Sequence, residues 1–220
     1  MATSPIQVIV PEPPSLPLGT DQYERRYQDQ YSNVLRLYFN RLTNALSSLF
    51  GTAGGKVLGF PYGAFESTVS QTATANIATL LTLNTTDFSN EVSLETLSKI
   101  KVVNPGLYNL QFSVQIQNLD NAPQDIFIWL KKGNGATITD IVGSTGIVGL
   151  PARKDPADPA HNIVGWNYFI NMAKDDFIQI YWSTTHASMS IPAYAASGTP
   201  TKPSTASVVA TLSFVSAVYT

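Results

Sequence analysis

The chain has 220 residues, a formal net charge of −2 and no cysteine. This length allows one large β domain with a smaller appendage. The lack of cysteine excludes a disulfide framework and a thiolate metal site, so we expect a protein assembled inside a cell. The small net charge argues against a strongly electrostatic partner such as duplex DNA, and no nucleic-acid partner is expected.

Charged residues make up 13% of the chain, about half of the ~25% typical of soluble domains. Asn, Gln, Ser and Thr therefore supply much of the polar surface. The first residues show neither the basic nor the apolar region of a signal peptide. No apolar run approaches the ~18 residues that a membrane span needs, and no membrane partner is expected.

Residues 1–19 are predicted to form an extended, proline-rich arm. A short strand over Ile6–Val10 is followed by four prolines that favour extended or polyproline backbone. The segment is interpreted either as a disordered tail or as a docking arm that adds to the edge of a neighbour's sheet. The docking arm is the interpretation we favour, with its contacts made by Ile6, Val8, Ile9 and Val10.

Residues 20–50 are predicted to form a helical stalk, with Thr20 as N-cap, Asp21 at the positive end of the helix dipole and Gly51 as C-terminal cap. About 30 residues at ~1.5 Å each give a rod of about 45 Å. Apolar and aromatic residues recur at alternating spacings of four and three, which is a heptad seam. The seam consists of Tyr31, Leu35, Tyr38, Leu42, Ala45 and Leu49.

Two interpretations of this helix remain open. It packs on its own β domain, or it associates with copies of itself as a coiled coil. We favour self-association, because a helix this long would overhang a single domain. The heptad pattern alone does not fix the number of chains.

Glycines and a proline over residues 51–63 predict a flexible linker, and residues 64–220 are predicted to form the main domain. Short β-branched and aromatic runs separated by turn signals predict an all-β sandwich or jelly roll. The predicted strands lie at 64–74, 77–84, 92–103, 107–116, 125–132, 138–142, 146–150, 163–172, 177–182 and 207–220.

The main domain is organised around residues 99–116. Pro105-Gly106 suits the central positions of a type II turn, in which glycine takes a positive φ. The turn predicts a hairpin of the two flanking strands. Beyond it, alternation with period 2 predicts a long strand with one buried face, formed by Tyr108, Leu110, Phe112, Val114 and Ile116.

No motif of catalysis or cofactor binding is found. Gly143–Gly146 lacks the spacing of a nucleophile elbow, and Gly133–Ile138 lacks a third glycine for a phosphate loop. His161 and His186 have no second ligand at metal spacing. Asp155 and Asp158 near His161 are more typical of a solvated loop than of a cation site. We therefore predict no catalytic, cofactor-binding or metal-binding residues.

The three tryptophans admit two interpretations. Trp129, Trp166 and Trp182 lie on predicted strands, where core or subunit-interface positions are the common outcome. The alternative is a platform on which a sugar stacks. Because binding residues concentrate on loops, the long loops 151–162 and 184–206 are the expected location of a ligand surface. The candidate surface residues are Trp166, Tyr194 and His186.

The stretch Ile100–Phe112 resembles the signature of complement-C1q-like and tumour-necrosis-factor-like (TNF-like) jelly rolls, in which a Pro-Gly turn precedes a strand of alternating aromatic residues. Three further segments follow in the expected order: Trp129–Gly135, Ile170–Ile180 and Ser207–Val215. The likeness covers roughly Phe65 to Thr220. Two departures are Ile100, where the signature has an aromatic residue, and a turn at 174–176 without glycine.

This resemblance implies a mainly β chain: a C1q/TNF-like jelly-roll β-sandwich preceded by one long N-terminal α-helix and an extended proline-rich arm. It also implies a homotrimer about a three-fold axis, a plan that a helical stalk fits. The whole chain is similar in plan to virion structural proteins of tailed bacteriophages.

We therefore expect a non-enzymatic, trimeric fibre or capsid decoration protein in the virion, anchored to a phage capsid or tail protein by its arm. The alternative is the receptor-binding tip of a fibre, whose head loops recognise a host surface glycan. No cofactor is expected in either case.

Overall fold

The computed structural model describes residues 11–19, 22–50 and 59–217. It divides into two compact units, Met1–Gly59 and Phe60–Thr220. The predicted docking residues Ile6, Val8, Ile9 and Val10 lie outside the described residues, as do Thr20, Asp21 and Gly51.

The first unit contains one helix, α1, from Arg25 to Phe50. It begins later than the predicted N-cap at Thr20, and its first turn closes where the Gln28 amide donates to the Glu24 carbonyl at 3.1 Å. The Tyr27 hydroxyl donates to the Pro17 carbonyl at 3.2 Å. This bond joins the described part of the arm to the first turn of the helix.

The described part of the arm has no regular secondary structure, and Pro11, Pro14 and Pro17 are half-buried. A spacing of three is the repeat of polyproline II, in which every third side chain lies on one edge. Residues 11–19 thus contain neither helix nor strand, and the docking role of the arm stays a prediction.

Within the first unit, no side chain of α1 is fully buried. All six residues of the predicted seam are half-buried, whereas four large apolar side chains outside the seam are exposed. The exposed residues are Leu37, Phe39, Leu46 and Phe50. The seam therefore contains the more protected apolar positions of the helix, and self-association through it stays a prediction.

The second unit is a sandwich of antiparallel strands, sixteen of them within residues 59–217. They are β1 (Tyr62–Ser67), β2 (Gln71–Thr72), β3 (Thr79–Leu80), β4 (Thr85–Asn90), β5 (Val92–Glu95), β6 (Lys99–Val102), β7 (Gly106–Asn118), β8 (Gln124–Asn134), β9 (Thr137–Asp140), β10 (Gly146–Leu150), β11 (Ala160–Met172), β12 (Asp176–Thr184), β13 (Met189–Ile191), β14 (Ser197–Gly198), β15 (Thr201–Lys202) and β16 (Val208–Ser216).

Two large sheets form the sandwich. Sheet A has the order β2-β13-β7-β16-β1-β4, with β11 on the other side of β7. Sheet B has the order β10-β8-β12-β6-β5, with β9 also on β8 and β3 on β12. Their inner faces share one apolar core. The predicted mainly β jelly-roll fold with one N-terminal helix is thus the observed fold.

Strand β7 lies at the centre of sheet A and confirms the predicted alternation. Its five inward residues, Tyr108 to Ile116 at every second position, are at most 5% exposed. Strand β11 pairs with β7 over Gly106–Asn118, and β16 pairs along the opposite edge. The inner face of β7 therefore forms the centre of the core on the sheet A side, and its two edges hold the neighbouring strands.

The predicted hairpin at Pro105-Gly106 is wrong. Strand β6 pairs with β5 and β12 in sheet B, whereas β7 belongs to sheet A, so the chain crosses between the sheets at this point. Among the described glycines, positive φ occurs at Gly135 and Gly143 and not at Gly106. The type II turn is therefore wrong as well.

Glycine is needed at position 106 for another reason. A Cβ atom there would lie 2.5 Å from the Phe214 ring and 2.9 Å from the Ser216 carbonyl oxygen. Such distances are well inside van der Waals contact, so only glycine lets β16 approach this closely. The sequence pattern identified the glycine but not the strand that requires it.

Other boundaries differ from the predictions for local reasons. Residues 92–103 are two strands, because Thr96 and Leu97 adopt positive φ in a tight turn. The predicted linker ends before residue 63: Pro61 is buried, and its carbonyl accepts the Phe214 amide at 2.9 Å. In the turn that lacks glycine, Asp175 takes the positive φ itself, at 65°, as Asp tolerates better than most residues.

We predict that Gly106→Ala destabilises the second unit by about 1–3 kcal/mol, because the added methyl group must displace Phe214 or the backbone of β16. Thermal or urea unfolding of the two proteins measures the difference. Gly198→Ala is the matched control, since its Cβ meets no atom within 4 Å, and it should change stability by no more than about 0.5 kcal/mol. Equal effects of the two changes would contradict this explanation.

Tyr108 gives a prediction for alkaline pH. Its side chain is fully buried and its hydroxyl donates to the Asn104 carbonyl at 2.8 Å. Burial, with a smaller contribution from the Glu91 charge, raises the pKa of Tyr108 from 10.0 to about 12. The folded state therefore holds this proton more tightly than the unfolded state, and its stabilising effect is lost as pH rises through that range.

We expect Tyr108→Phe to be less stable than the unmodified protein by about 1 kcal/mol at neutral pH, through loss of one hydrogen bond. The difference should narrow and then change sign as pH rises from 10 towards 12, because the unmodified protein must retain a proton that its unfolded state releases. Urea unfolding at a series of pH values measures it. A difference that stays constant over this range would contradict the assignment.

Candidate functional site

Three adjacent strands of sheet A contain no Asp, Glu, Lys or Arg. These are β11, β7 and β16, which lie side by side in that order. The strands of sheet B, in contrast, carry charges of both signs. They include Glu95, Lys99, Lys101, Asp125, Lys131, Lys132, Asp140 and Asp176.

The outward face of β11, β7 and β16, called the sheet A face below, carries exposed apolar side chains. Ile163 lies opposite Gln115 and is 63% exposed, and Phe169 lies opposite Asn109 and is 64% exposed. On the third strand, Val209 lies opposite Ser113. Large apolar groups among uncharged polar groups are the composition of a protein–protein interface core, in which charged residues are depleted.

A hydrogen bond between two uncharged side chains also lies on the sheet A face. The Asn109 amide donates to the Asn167 side-chain oxygen at 2.6 Å, and Asn109 is only 8% exposed although it points outward. A shallow depression of about 540 Å³ spans the middle of the three strands, and its lining includes Gly165, Trp166 and Thr211. The sheet A face is therefore uneven and presents amide and hydroxyl groups.

Strand β11 has a long free edge. It is 13 residues long, and β7 is its only strand partner among the described residues. Natural proteins usually protect such edges with charged residues, prolines or bulges, because an open edge pairs with other chains. Strand β11 contains no Asp, Glu, Lys, Arg or Pro. The edge and the sheet A face together are thus suited to contact with another protein chain.

The structure does not support Trp166 as an open sugar platform. Its ring stacks on Phe112, with centroids 5.4 Å apart and planes at 24°, and it packs against the core. The ring lies so close to Gly146 that a Cβ atom there would overlap it. Trp182 is fully buried. Of the three tryptophans, Trp129 has its ring on an outer face, that of sheet B.

Tyr194 lies in a small polar cluster with Gln117 and His161. Its hydroxyl donates to the Gln117 side-chain oxygen at 2.7 Å and lies 3.3 Å from Nδ1 of His161. The Lys202 ammonium lies 5.8 Å from the centre of the Tyr194 ring. Burial raises the pKa of Tyr194. The side chain is 36% exposed, so it is available at the surface as predicted, although it is already bonded.

His186 belongs to a different cluster. Its Nδ1 lies 2.7 Å from the Ser188 hydroxyl and 3.6 Å from the Asp120 carboxylate. A hydrogen bond from Gln124, together with the nearby imidazole and backbone amides, holds the pKa of Asp120 below its usual value. No hydrogen bond or ring contact among the described residues joins Trp166, Tyr194 and His186. The three candidate residues predicted from the sequence therefore do not form one surface site; each lies in a separate part of the domain.

The loop near His161 shows ordinary local bonding. Lys154 pairs with Asp158 at 3.6 Å, and the Asp155 carboxylate accepts the Ala157 amide at 2.7 Å. Within residues 11–19, 22–50 and 59–217, no group of three or more His, Asp or Glu side chains is placed to hold a metal ion. In the same ranges, no helix has the length and apolar character required to cross a membrane.

Comparison with known proteins identifies the class of fold. No protein-family model and no curated protein sequence matches the chain. The structure of Eiger TNF from S. frugiperda superposes with a TM-score of 0.52 at 9% identity, over 74% of this chain and 97% of that one. The globular domain of zebrafish complement 1qA gives a TM-score of 0.42 at 12% identity, over 73% and 100%.

At these identities the comparison establishes architecture alone. The Eiger TNF superposition confirms that the second unit has the C1q/TNF-like jelly-roll fold that the signature around Pro105-Gly106 implied. What the chain binds must be argued from its own surfaces.

Proposed function

We propose that this protein is a non-enzymatic structural protein that works as a homotrimer, with the sheet A face as the contact between subunits. The observation that carries the proposal is the absence of charge from β11, β7 and β16, in a domain whose other sheet is charged. Burying charged groups is costly, so a face that is covered in the working protein is expected to lack them.

The exposed apolar groups and the free edge of β11 support the same proposal. Burying the Ile163 and Phe169 side chains in an interface is favourable, by about 25 cal/mol of free energy for each Å² of apolar surface removed from water. A closed ring of subunits also protects each β11 edge, whereas an open arrangement would continue into a fibre. Three subunits is the number that the jelly-roll resemblance implies.

We further propose that the trimer belongs to the virion of a tailed phage, as a fibre or capsid decoration protein anchored by the N-terminal arm. The support is the plan of the chain, in which a proline-rich arm and a tyrosine-rich helix precede a jelly roll. Joining three arms to one head makes three weak contacts act together through their effective concentration.

The subunit contact is tested by Ile163→Asp, which places three charges in the proposed interface. We expect light scattering to give about three times 23.8 kDa for the unmodified protein and a lower mass for the variant at micromolar concentration. Ile147→Asp is the matched control: Ile147 lies on β10 of sheet B and is 65% exposed, against 63% for Ile163. It should remain trimeric.

A monomeric unmodified protein, or an Ile163→Asp variant with undiminished trimer mass, would contradict the proposed interface. In the second case the helix would be the element that holds the subunits together. That outcome is tested by the molar mass of Leu42→Asp, which changes the predicted seam, and of Leu37→Asp, which lies outside it. If the helix holds the subunits together, only Leu42→Asp should have a lower mass.

The anchoring role is tested in particles. Deletion of residues 1–19 should remove the protein from purified virions while leaving the free protein trimeric, because the arm is proposed to dock and not to assemble the head. Quantitative mass spectrometry of purified particles measures the loss. Particles that retain the shortened protein at the normal level would contradict the docking role.

The alternative function, a receptor-binding fibre tip, is favoured by one observation. Tyr194 is exposed beside His161 and Lys202, which gives an aromatic ring with hydrogen-bonding neighbours. Under this alternative, Tyr194→Ala should abolish adsorption to the host while particles contain the protein in full amount. Under the structural role, adsorption should be unchanged.

A further inference from the structure

A second surface lies on sheet B. Trp129 on β8 is directly opposite Tyr181 on β12, and their rings are stacked with centroids 5.9 Å apart and planes at 29°. Both side chains are half-buried and point away from the core, since their strand neighbours Leu130 and Ile180 point into it. The pair forms an aromatic surface on the outside of the sandwich.

A carboxylate and an ammonium group lie at the edge of this aromatic pair. The Trp129 indole donates to Oδ1 of Asp140 at 3.1 Å, and the Lys131 ammonium lies 3.3 Å from the same oxygen. Lys131 also lies 4.7 Å from the centre of the Tyr181 ring. Both of these contacts use Oδ1, and the Asp140 side chain is 63% exposed. A carboxylate has two oxygens that accept hydrogen bonds, so Asp140 keeps the capacity to accept from solvent or a ligand.

The loop between β9 and β10 makes the surface concave. Ile141, Val142, Gly143 and Thr145 border a depression of about 450 Å³ together with Phe127, Trp129, Lys131 and Asp140. Ser144 fixes this loop: its hydroxyl accepts the Leu130 amide at 3.0 Å, and its carbonyl accepts the Tyr168 hydroxyl at 3.0 Å. The wall of the depression is therefore tied to both sheets.

We propose that this depression, called the Trp129 site, binds a pyranose ring of an uncharged glycan. A pyranose has one face of C–H groups, which packs on an aromatic ring, and an edge of hydroxyl groups, which donate to a carboxylate. Trp129 supplies the apolar contact and Asp140 accepts the hydroxyls, with bonds strengthened by its charge.

The charges of the Trp129 site favour a neutral ligand over an ionic one. Lys131 and Asp140 neutralise each other, so neither a phosphate nor a carboxylate ligand finds an uncompensated cation. A quaternary ammonium ligand is bound by aromatic rings together with a carboxylate. Here it would have to compete with the Lys131 ammonium, which already lies against the Tyr181 ring and beside the Asp140 carboxylate.

The Trp129 site is independent of the proposed trimer. It lies on the outer face of sheet B, on the opposite side of the sandwich from the sheet A face. It also differs from the cluster around Tyr194. Failure of glycan binding would therefore leave the structural role untouched, and a monomeric protein would leave the Trp129 site intact.

Saturation-transfer NMR on the full-length protein tests the site, with maltotriose, mannotriose, galactotriose and triacetylchitotriose as neutral probes and sialyllactose as an anionic one. We expect transfer to ring C–H protons of at least one neutral probe, with an affinity of order millimolar. Trp129→Ala should weaken binding by at least about tenfold. Tyr194→Ala is the control and should bind as the unmodified protein does.

Asp140→Asn provides a second variant that keeps the shape of the site and an acceptor for the indole. It should fold normally, as judged by its unfolding temperature, and bind the same probe more weakly. The proposal is overturned if no neutral probe shows transfer, if only sialyllactose binds, or if Asp140→Asn and Trp129→Ala both bind at full strength. Loss of binding in Tyr194→Ala alone would assign the glycan to the loop cluster instead.

Discussion

Strand β7 is the element on which the arrangement of the second unit depends. Its inward face is a continuous row of buried apolar and aromatic residues, and its two edges are paired by β11 and β16. Because side chains alternate along a strand, a shift of β7 by one residue would turn the whole row outward. The register of both neighbours is therefore tied to the burial of this one face.

The same strand explains why the sandwich closes at Gly106. Phe214 packs edge-on against Tyr108, with centroids 5.5 Å apart, and its ring occupies the space that a side chain at position 106 would need. The chain thus crosses from sheet B to sheet A at a closely packed point, where the start of β7 contacts the end of β16.

Local sequence patterns predicted much of what depends on neighbours in the chain, although the turn at Pro105-Gly106 was wrong. The alternation in β7, the jelly-roll signature and the approximate positions of most strands follow from such patterns. What they missed depends on contacts between distant residues. Gly106 is glycine because of Phe214, and Trp166 is covered because Phe112 and Gly146 lie beside it. Neither relation has a local signal.

The candidate surfaces show the same division. The tryptophans were identified as candidates, but their side of the sheet could not be assigned without strand register, and register places only Trp129 on an outer face. The uncharged strands were visible in the composition as a low overall charge. That they lie side by side becomes clear only when β11 and β16 are placed on either edge of β7.

The neutrality of β11, β7 and β16 has a consequence for how any assembly through them responds to its surroundings. Contacts between ions weaken with added salt, whereas contacts between apolar and amide groups are not screened. Ions such as sulfate, which are excluded from protein surfaces, strengthen burial. An assembly held through these strands would keep its subunits together from dilute buffer to concentrated brine.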